Sequence, residues 1–212
     1  AAGELKTKPT QHSVKTLMES GIKADVLVCR TEHELDDDLR SKIARFCNVP
    51  TKAVIQSIDA NTIYEVPLLM QKEGLDTVVL EKLGLDTSRK PELERWSAFV
   101  ESISAPSAEI TIGLIGKYVE LQDSYKSILE ALIHAGASNK VKVNVVSVHS
   151  EHLEEQDIAS LLDGFDGILV APGFGSRGIE GKISAVHYAR THGLPYFGIC
   201  LGMQMAVIEF AR

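Results

Sequence analysis

Apolar positions along the chain recur with two alternating periods. Residues 11–20 carry them at helical spacing and Gly21 closes the segment, whereas residues 24–29 (ADVLVC) form the short continuous run of a buried strand. The same rhythm returns downstream. Over 36–47, Leu39, Ile43, Phe46 and Cys47 share one helical face, and 53–58 reads as a strand. Helices are expected over 63–72, 75–83 and 91–103. In the last of these Pro91 takes a first-turn position, and Leu93, Trp96, Phe99, Val100 and Ile103 make the apolar stripe. Small and polar residues around Pro106 then interrupt the pattern, which places a boundary between two domains, 1–106 and 107–212. Beyond it come strand 110–115, helix 123–135, strand 141–148, helix 153–162, strand 167–171, helix 181–191, strand 196–199 and a helix from Leu201. Asp123 is expected to cap one helix start, and Gly136, Gly164 and Gly193 to supply left-handed closures. Strands alternating with helices over short connections predict an α/β architecture: two three-layer domains with parallel sheets, both expected to be incomplete in this chain.

Composition narrows the function classes. Of the 212 residues 44% are hydrophobic and 24% charged, the balance of a globular protein, and no uncharged apolar run reaches the roughly 20 residues of a membrane span. A formal charge of −7 argues against a general nucleic-acid binder. Cys29, Cys47 and Cys200 form neither an even disulfide set nor a close metal pair, which points to a reducing, cytoplasmic setting. The start AAGELKTKPT has no initiator Met and no apolar signal core, and the last helical pattern is still running at Arg212, so an internal portion of a longer chain is expected.

The sharpest chemical signal is Gly198-Ile199-Cys200-Leu201-Gly202, set between an apolar strand and a helical run. A tight strand-to-helix turn leaves no room for a Cβ at either glycine and pushes the cysteine outward, as in a nucleophile elbow with sulfur in place of oxygen. A helix N-terminus favours the thiolate, the species that attacks a carbonyl. The Leu201 amide is placed to meet the oxygen of a tetrahedral intermediate. A second donor is expected from the loop Ala171-Pro172-Gly173-Phe174-Gly175, specifically the Gly173 amide, because Pro172 has no N–H. Cys29 and Cys47 lack such a setting and are read as core residues.

The segments IGLIGKYVELQDSYKSILEAL, GFGSRGIEGK and PYFGICLGMQ resemble a class I glutamine amidotransferase domain, in particular that of the CTP synthase family. Upstream, GELKTKPTQHSVK and ARFCNVP are similar to the last part of that family's synthetase domain. The resemblance covers nearly the whole chain. It implies an enzyme that phosphorylates UTP with ATP and displaces the phosphate with ammonia released from glutamine, with Cys200 forming a glutamyl thioester. It further implies glutamine and oxyanion contacts at Gly173, Phe174, Leu201, Gly202, Met203 and Gln204. UTP or CTP contacts fall at Lys6, Thr7, Lys8, Pro9, Thr10, Gln11 and Lys42, and ATP contacts at Arg30, Ile58, Asp59 and Ala60. Mg²⁺ is expected to accompany ATP with its ligands outside this chain, CTP to inhibit, GTP to activate, and the assembly to be a homotetramer without nucleic acid or membrane. Residues 6–11 are expected to be extended, so that Lys6 and Lys8 project to one side toward a triphosphate.

The family's usual loop reads Pro-Gly-Gly-Phe-Gly, so Pro172 here predicts a stiffer loop with the donor glycine retained. The histidine base and its carboxylate follow the cysteine in this family, yet no His follows Cys200; His134, His149, His152, His187 and His192 all precede it and suit surface or capping roles. No G-x-x-x-x-G-K-[ST] occurs either. Alternatives are another cysteine-elbow protein of the DJ-1-like kind, or a truncated, non-catalytic regulatory or assembly piece.

Overall fold

The computed structural model describes residues 5–121 and 123–212. Residues 1–4, at the start of the AAGELKTKPT stretch, and Gln122, within the amidotransferase-like motif, lie outside the described residues. The chain divides into two compact units, 1–97 and 98–212.

In the first unit, two parallel strands, β1 (Leu27–Thr31) and β2 (Val54–Ile58), pair in register from Leu27↔Val54 to Thr31↔Ile58. Every second residue of β1 is turned toward the core, while Val28 and Arg30 are exposed, the alternation of a half-covered strand. Helix α1 (Lys8–Glu19) and α2 (Asp37–Cys47) supply Val14, Ile43, Ala44 and Cys47 to that core, joined by Val49, Val54 and Val78. Asp36 caps α2 by accepting the Leu39 amide at 2.7 Å. Phe46 departs from the expected stripe: it is 63% exposed, because Ala44 and Cys47 take the buried positions on either side of it. Arg40 ties α2 to the end of α3 (Val66–Lys72) through a bidentate pair with Glu73 at 2.6 and 3.1 Å, and also donates to the Val54 carbonyl. The Arg40 guanidinium holds the Glu73 carboxyl below its usual range.

Three expectations shift here. Residues 8–11 are not extended: α1 begins at Lys8, with Pro9 in its first turn, where the fixed φ suits a helix and the missing N–H is no loss. Gln11 bonds back to Thr7 through both its amide nitrogens, which closes that turn. The helix expected over 63–72 divides into a 3₁₀ turn, Ile63–Glu65, and α3, followed by α4 (Leu75–Leu83). Helix α5 (Glu94–Ser104) starts beyond Pro91, which therefore stands outside the first turn.

The second unit is a four-stranded parallel sheet in the order β4-β3-β5-β6, made of β3 (Ala108–Gly116), β4 (Val141–His149), β5 (Gly167–Val170) and β6 (Tyr196–Gly198). Alternate residues of β5 serve opposite faces. Ile168 and Val170 pack with Leu153, Leu162, Ala185 and Ala189 from α7 (His152–Glu155), α8 (Ile158–Leu162) and α9 (Ile179–His192). Leu169 and Ala171 pack with Tyr125, Ile128 and Leu129 at the start of α6 (Lys126–Asn139). This is the three-layer α/β arrangement the alternating pattern predicts.

Local details differ from expectation where tertiary contacts compete. Tyr125, not Asp123, precedes α6, because its buried ring seats against Gly116 and its hydroxyl accepts the Tyr118 amide. Gly136 lies inside α6, and Lys140 at φ 57° makes the left-handed closure. Gly164 and Gly193 close their segments at φ 83° and 68° as expected. The helix expected over 153–162 is two short ones, the second capped by Asp157 on the Ala159 amide.

Helix α10 (Leu201–Ala211) packs on α9, and Glu209 binds the two together, accepting from Arg190 at 2.9 and 2.7 Å with His187 Nδ1 at 2.8 Å. Arg190 first, then His187, hold this carboxyl far below the usual range, at about 2. Because the fold favours the ionised form, its stabilisation is complete above the ordinary carboxylate range and is lost as pH falls through that range toward about 2. Glu209→Gln is therefore expected to lower the melting temperature at neutral pH and to flatten its decline on acidification. An unchanged acid slope would show that the pair contributes nothing to the fold.

Candidate active site

All four strands of the second unit run parallel, so their C-terminal ends, Gly116, His149, Val170 and Gly198, open on one edge of the sheet. The strand order reverses between β3 and β5, and ligands of open α/β sheets sit at such a switch point. The residues that follow β3, β5 and β6 there are Lys117, the 171–175 loop and Cys200.

Cys200 is exposed and stands between β6 and α10 at φ 52°, ψ −106°, a positive-φ conformation that side-chain-bearing residues rarely adopt. Strain of this kind costs about 1–3 kcal/mol and persists where the surroundings over-determine it. They do so here. The Ile199 amide donates to the Val170 carbonyl at 3.1 Å, the Gln204 amide to the Cys200 carbonyl at 3.2 Å, and the Tyr196 hydroxyl to the Gly202 carbonyl at 2.6 Å. Burial pushes the Tyr196 phenol up to about 12, which keeps it a donor. A Cβ on Gly198 would come within 2.5 Å of the Gly202 carbonyl carbon, and one on Gly202 within 2.2 Å of the Val170 carbonyl oxygen. The turn thus requires both glycines for the close backbone approach inferred from the sequence.

The 171–175 loop lies against this turn. A Cβ on Gly173 would stand 3.7 Å from Leu201 Cδ2, and among the described residues neither the Gly173 nor the Leu201 amide donates a backbone hydrogen bond. Two N–H groups near a helix N-terminus and beside an exposed cysteine are the parts that an acyl-transfer site would need. Phe174 is 85% exposed, and its carbonyl is held by the Lys117 ammonium.

In the first unit, the C-terminal end of the parallel pair again carries clefts. Lys6, Thr7, Lys8 and Lys42 line one of about 740 Å³, with Glu34 and Asp36 on its wall. Arg30, Ile58, Asp59 and Ala60 line a second of about 470 Å³, where Arg30 pairs with Asp59 at 3.7 Å. Pro9, Thr10 and Gln11 do not line the first cleft, because the helical turn that begins at Lys8 carries them onward along α1.

Residues 1–85 match the family described as CTP synthase N-terminus, and residues 120–212 match class-I glutamine amidotransferase. The CTP synthase of Flavobacterium johnsoniae is 66% identical over 212 residues, covering 100% of this chain and 40% of that protein. That of Christiangramia forsetii is 68% identical over 212 residues, covering 100% of this chain and 39% of that protein. The chain belongs to the CTP synthase family. It spans about 40% of the length of the curated relatives it matches. A solved structure of the Trypanosoma brucei CTPS glutaminase domain with bound acivicin is 39% identical, covers 49% of this chain and 40% of that one, and superposes with a TM-score of 0.45.

Within this CTP synthase family chain, the site residues implied by the resemblance, apart from Pro9, Thr10 and Gln11, fall into three places: the elbow with its loop, the cleft of Lys6 and Lys42, and the cleft of Arg30 and Asp59. Three residues were missed from sequence. His33 lines the wall of the first cleft and of a smaller one shared with Arg30 and Asp59. Lys117 and Lys182 are almost fully enclosed under the 171–175 loop. The upstream histidines have other occupations: His187 with Glu209, His192 stacked on Tyr188, and His149 beside His152. Among the described residues no three His, Cys, Asp or Glu side chains meet as a metal site.

Proposed function

We propose that this chain supplies the cysteine nucleophile, the oxyanion donors and part of the nucleotide clefts of an enzyme that makes CTP from UTP, ATP and glutamine. The observation that carries the reading is Cys200, held at positive φ between two glycines that admit no Cβ, with the Gly173 loop alongside. The Cys200 sulfur attacks the glutamine side-chain carbonyl, the Leu201 and Gly173 amides receive the oxyanion, and the collapse releases ammonia and leaves a glutamyl thioester for water to hydrolyse. Gly202, Met203, Gln204 and Phe174 border the same turn and complete the glutamine site. The base that accepts the thiol proton and its carboxylate partner are expected beyond these residues.

In the first unit, Lys6, Thr7, Lys8 and Lys42 bind the triphosphate of UTP, and of CTP as inhibitor, since three ammonium groups on one cleft match its charge. Arg30, Ile58, Asp59 and Ala60 take ATP. Pro9, Thr10 and Gln11, in the first turn of α1 beside Lys8, are assigned to the same nucleotide site. Mg²⁺ comes with ATP and is held elsewhere; GTP activation, a homotetramer, a domain boundary at 106/107 and a cytoplasmic location complete the proposal. No helix among the described residues is long and apolar enough to cross a membrane.

The test is covalent labelling by a glutamine-shaped electrophile. The full-length protein is expected to gain one adduct, mapped by mass spectrometry to Cys200 and suppressed by excess glutamine. Equal labelling of Cys29, or labelling indifferent to glutamine, would refute the assignment.

A further inference from the structure

Two ammonium groups lie beneath the 171–175 loop, and among the described residues neither has a carboxylate within ion-pair range. Lys182, in the first turns of α9, is 1% exposed and donates to the Ala171 carbonyl at 2.8 Å. Lys117, just past β3, is 6% exposed and donates to the Phe174 carbonyl. These acceptors bracket Gly173. A Cβ on Gly173 would stand 3.2 Å from Lys117 Cε and 3.6 Å from Lys182 Nζ, so both lysines rest against the α-carbon of the proposed oxyanion donor. An apolar side chain would fill the space without desolvating a charge, which is expensive when only a neutral carbonyl answers it. The fold does not need these charges, whereas a site that develops a thiolate and then an oxyanion does.

We propose that Lys182, assisted by Lys117, is a positioning residue for glutamine hydrolysis: its ammonium fixes the Ala171 carbonyl so that the Gly173 N–H points at the developing oxyanion, and keeps positive charge near the Cys200 sulfur. This rests on the glutaminase reading above. Burial first, and then the Lys117 charge, lower the Lys182 ammonium to about 8, while a Cys200 thiolate opposes the shift. The facing groups are Lys117 after β3 and Cys200 before α10. On α7, Glu154 accepts the Gly181 amide, and on α10 Glu209 is engaged by Arg190 and His187. Loss of the Lys182 proton above about 8 would release the loop and remove the charge, giving an alkaline limb in kcat.

The experiment is steady-state glutamine hydrolysis by the full-length protein across the alkaline range, for wild type, Lys182→Met and Lys182→Arg. Lys182→Met is expected to lower kcat about 100-fold, as for a displaced oxyanion donor, with KM nearly unchanged and the alkaline limb gone. Lys182→Arg is expected to restore most of kcat and to carry the limb to higher pH, since guanidinium stays charged. Should Lys182→Met not fold, the arginine profile decides alone: a limb that arginine leaves in place overturns the inference. So does a folded Lys182→Met with wild-type kcat and an unchanged limb, while wild-type hydrolysis keeps the glutaminase reading intact. A wild type that neither hydrolyses glutamine nor labels at Cys200 overturns both.

Discussion

In the full-length enzyme of the proposed reading, Cys200→Ala is expected to remove glutamine-dependent CTP formation by roughly 10⁴-fold or more, the scale of losing a covalent nucleophile, while formation from added ammonia stays near the wild-type rate. The division follows from where the chemistry sits. Only the acyl transfer needs sulfur, and the elbow presents that sulfur outward at the mouth of the sheet edge without using it in packing. Alanine fits the same turn with one atom fewer, so the loss reads chemistry rather than folding. Serine is a sharper control than it looks. It keeps size and polarity but replaces a sulfur nucleophile with a far weaker oxygen one, so Cys200→Ser should be nearly as inactive as the alanine variant. The measurement is CTP formation with glutamine and with ammonium salts in parallel. Equal loss with both nitrogen sources would mean that Cys200 holds the protein together, and retained glutamine dependence would mean that another group attacks.

How far the fold was legible follows from which forces set each element. The β5 core was readable because Ile168, Leu169 and Val170 are apolar on both faces, as a central parallel strand requires, and β3 follows the same logic. Element ends were less so. Asp123 is a good capping residue by itself, but Tyr125 wins the position because its ring fills the space at Gly116. Residues 6–11 looked extended from the alternation of two lysines, yet Pro9 and the Gln11–Thr7 bonds favour a helical start. The consequence is geometric, since Lys6 and Lys8 line one cleft at the start of a helix rather than along one strand.

The elbow was legible because its demands are steric and local, and glycines flanking a cysteine report them directly. Lys117 and Lys182 were not, since a lysine in a sequence is by default a solvated charge and only tertiary structure shows one enclosed. A weak signal did exist. Each follows a glycine with no room for a side chain: a Cβ on Gly116 would strike the Tyr125 ring, and one on Gly181 would lie 1.9 Å from the Ser150 carbonyl oxygen. Lysines carried past such tight points cannot all swing to solvent, and the pattern Gly-Lys at a strand end or helix start marks where to look.

Gly202→Ala should be among the most damaging single-methyl changes available to this chain, for a reason unrelated to backbone freedom. The added Cβ would lie 2.2 Å from the Val170 carbonyl oxygen and 3.0 Å from its carbon. Neither can withdraw, because β5 is paired with β3 on one side and β6 on the other, and that same carbonyl accepts the Ile199 amide. Helix α10 must therefore move away from the strand, at an overpacking cost of about 3 kcal/mol, and it takes the Leu201 amide and the Cys200 conformation with it. Gly164→Ala supplies the contrast. Gly164 sits at φ 83° with nothing within 4 Å of its would-be Cβ, so alanine there costs about 1 kcal/mol of backbone strain and leaves the site alone. The expected order is a large fall in melting temperature and about a 100-fold slower labelling of Cys200 for Gly202→Ala, against a small fall and normal labelling for Gly164→Ala. If the two variants melt alike and label alike, contact between α10 and the end of β5 is not what holds the nucleophile in place.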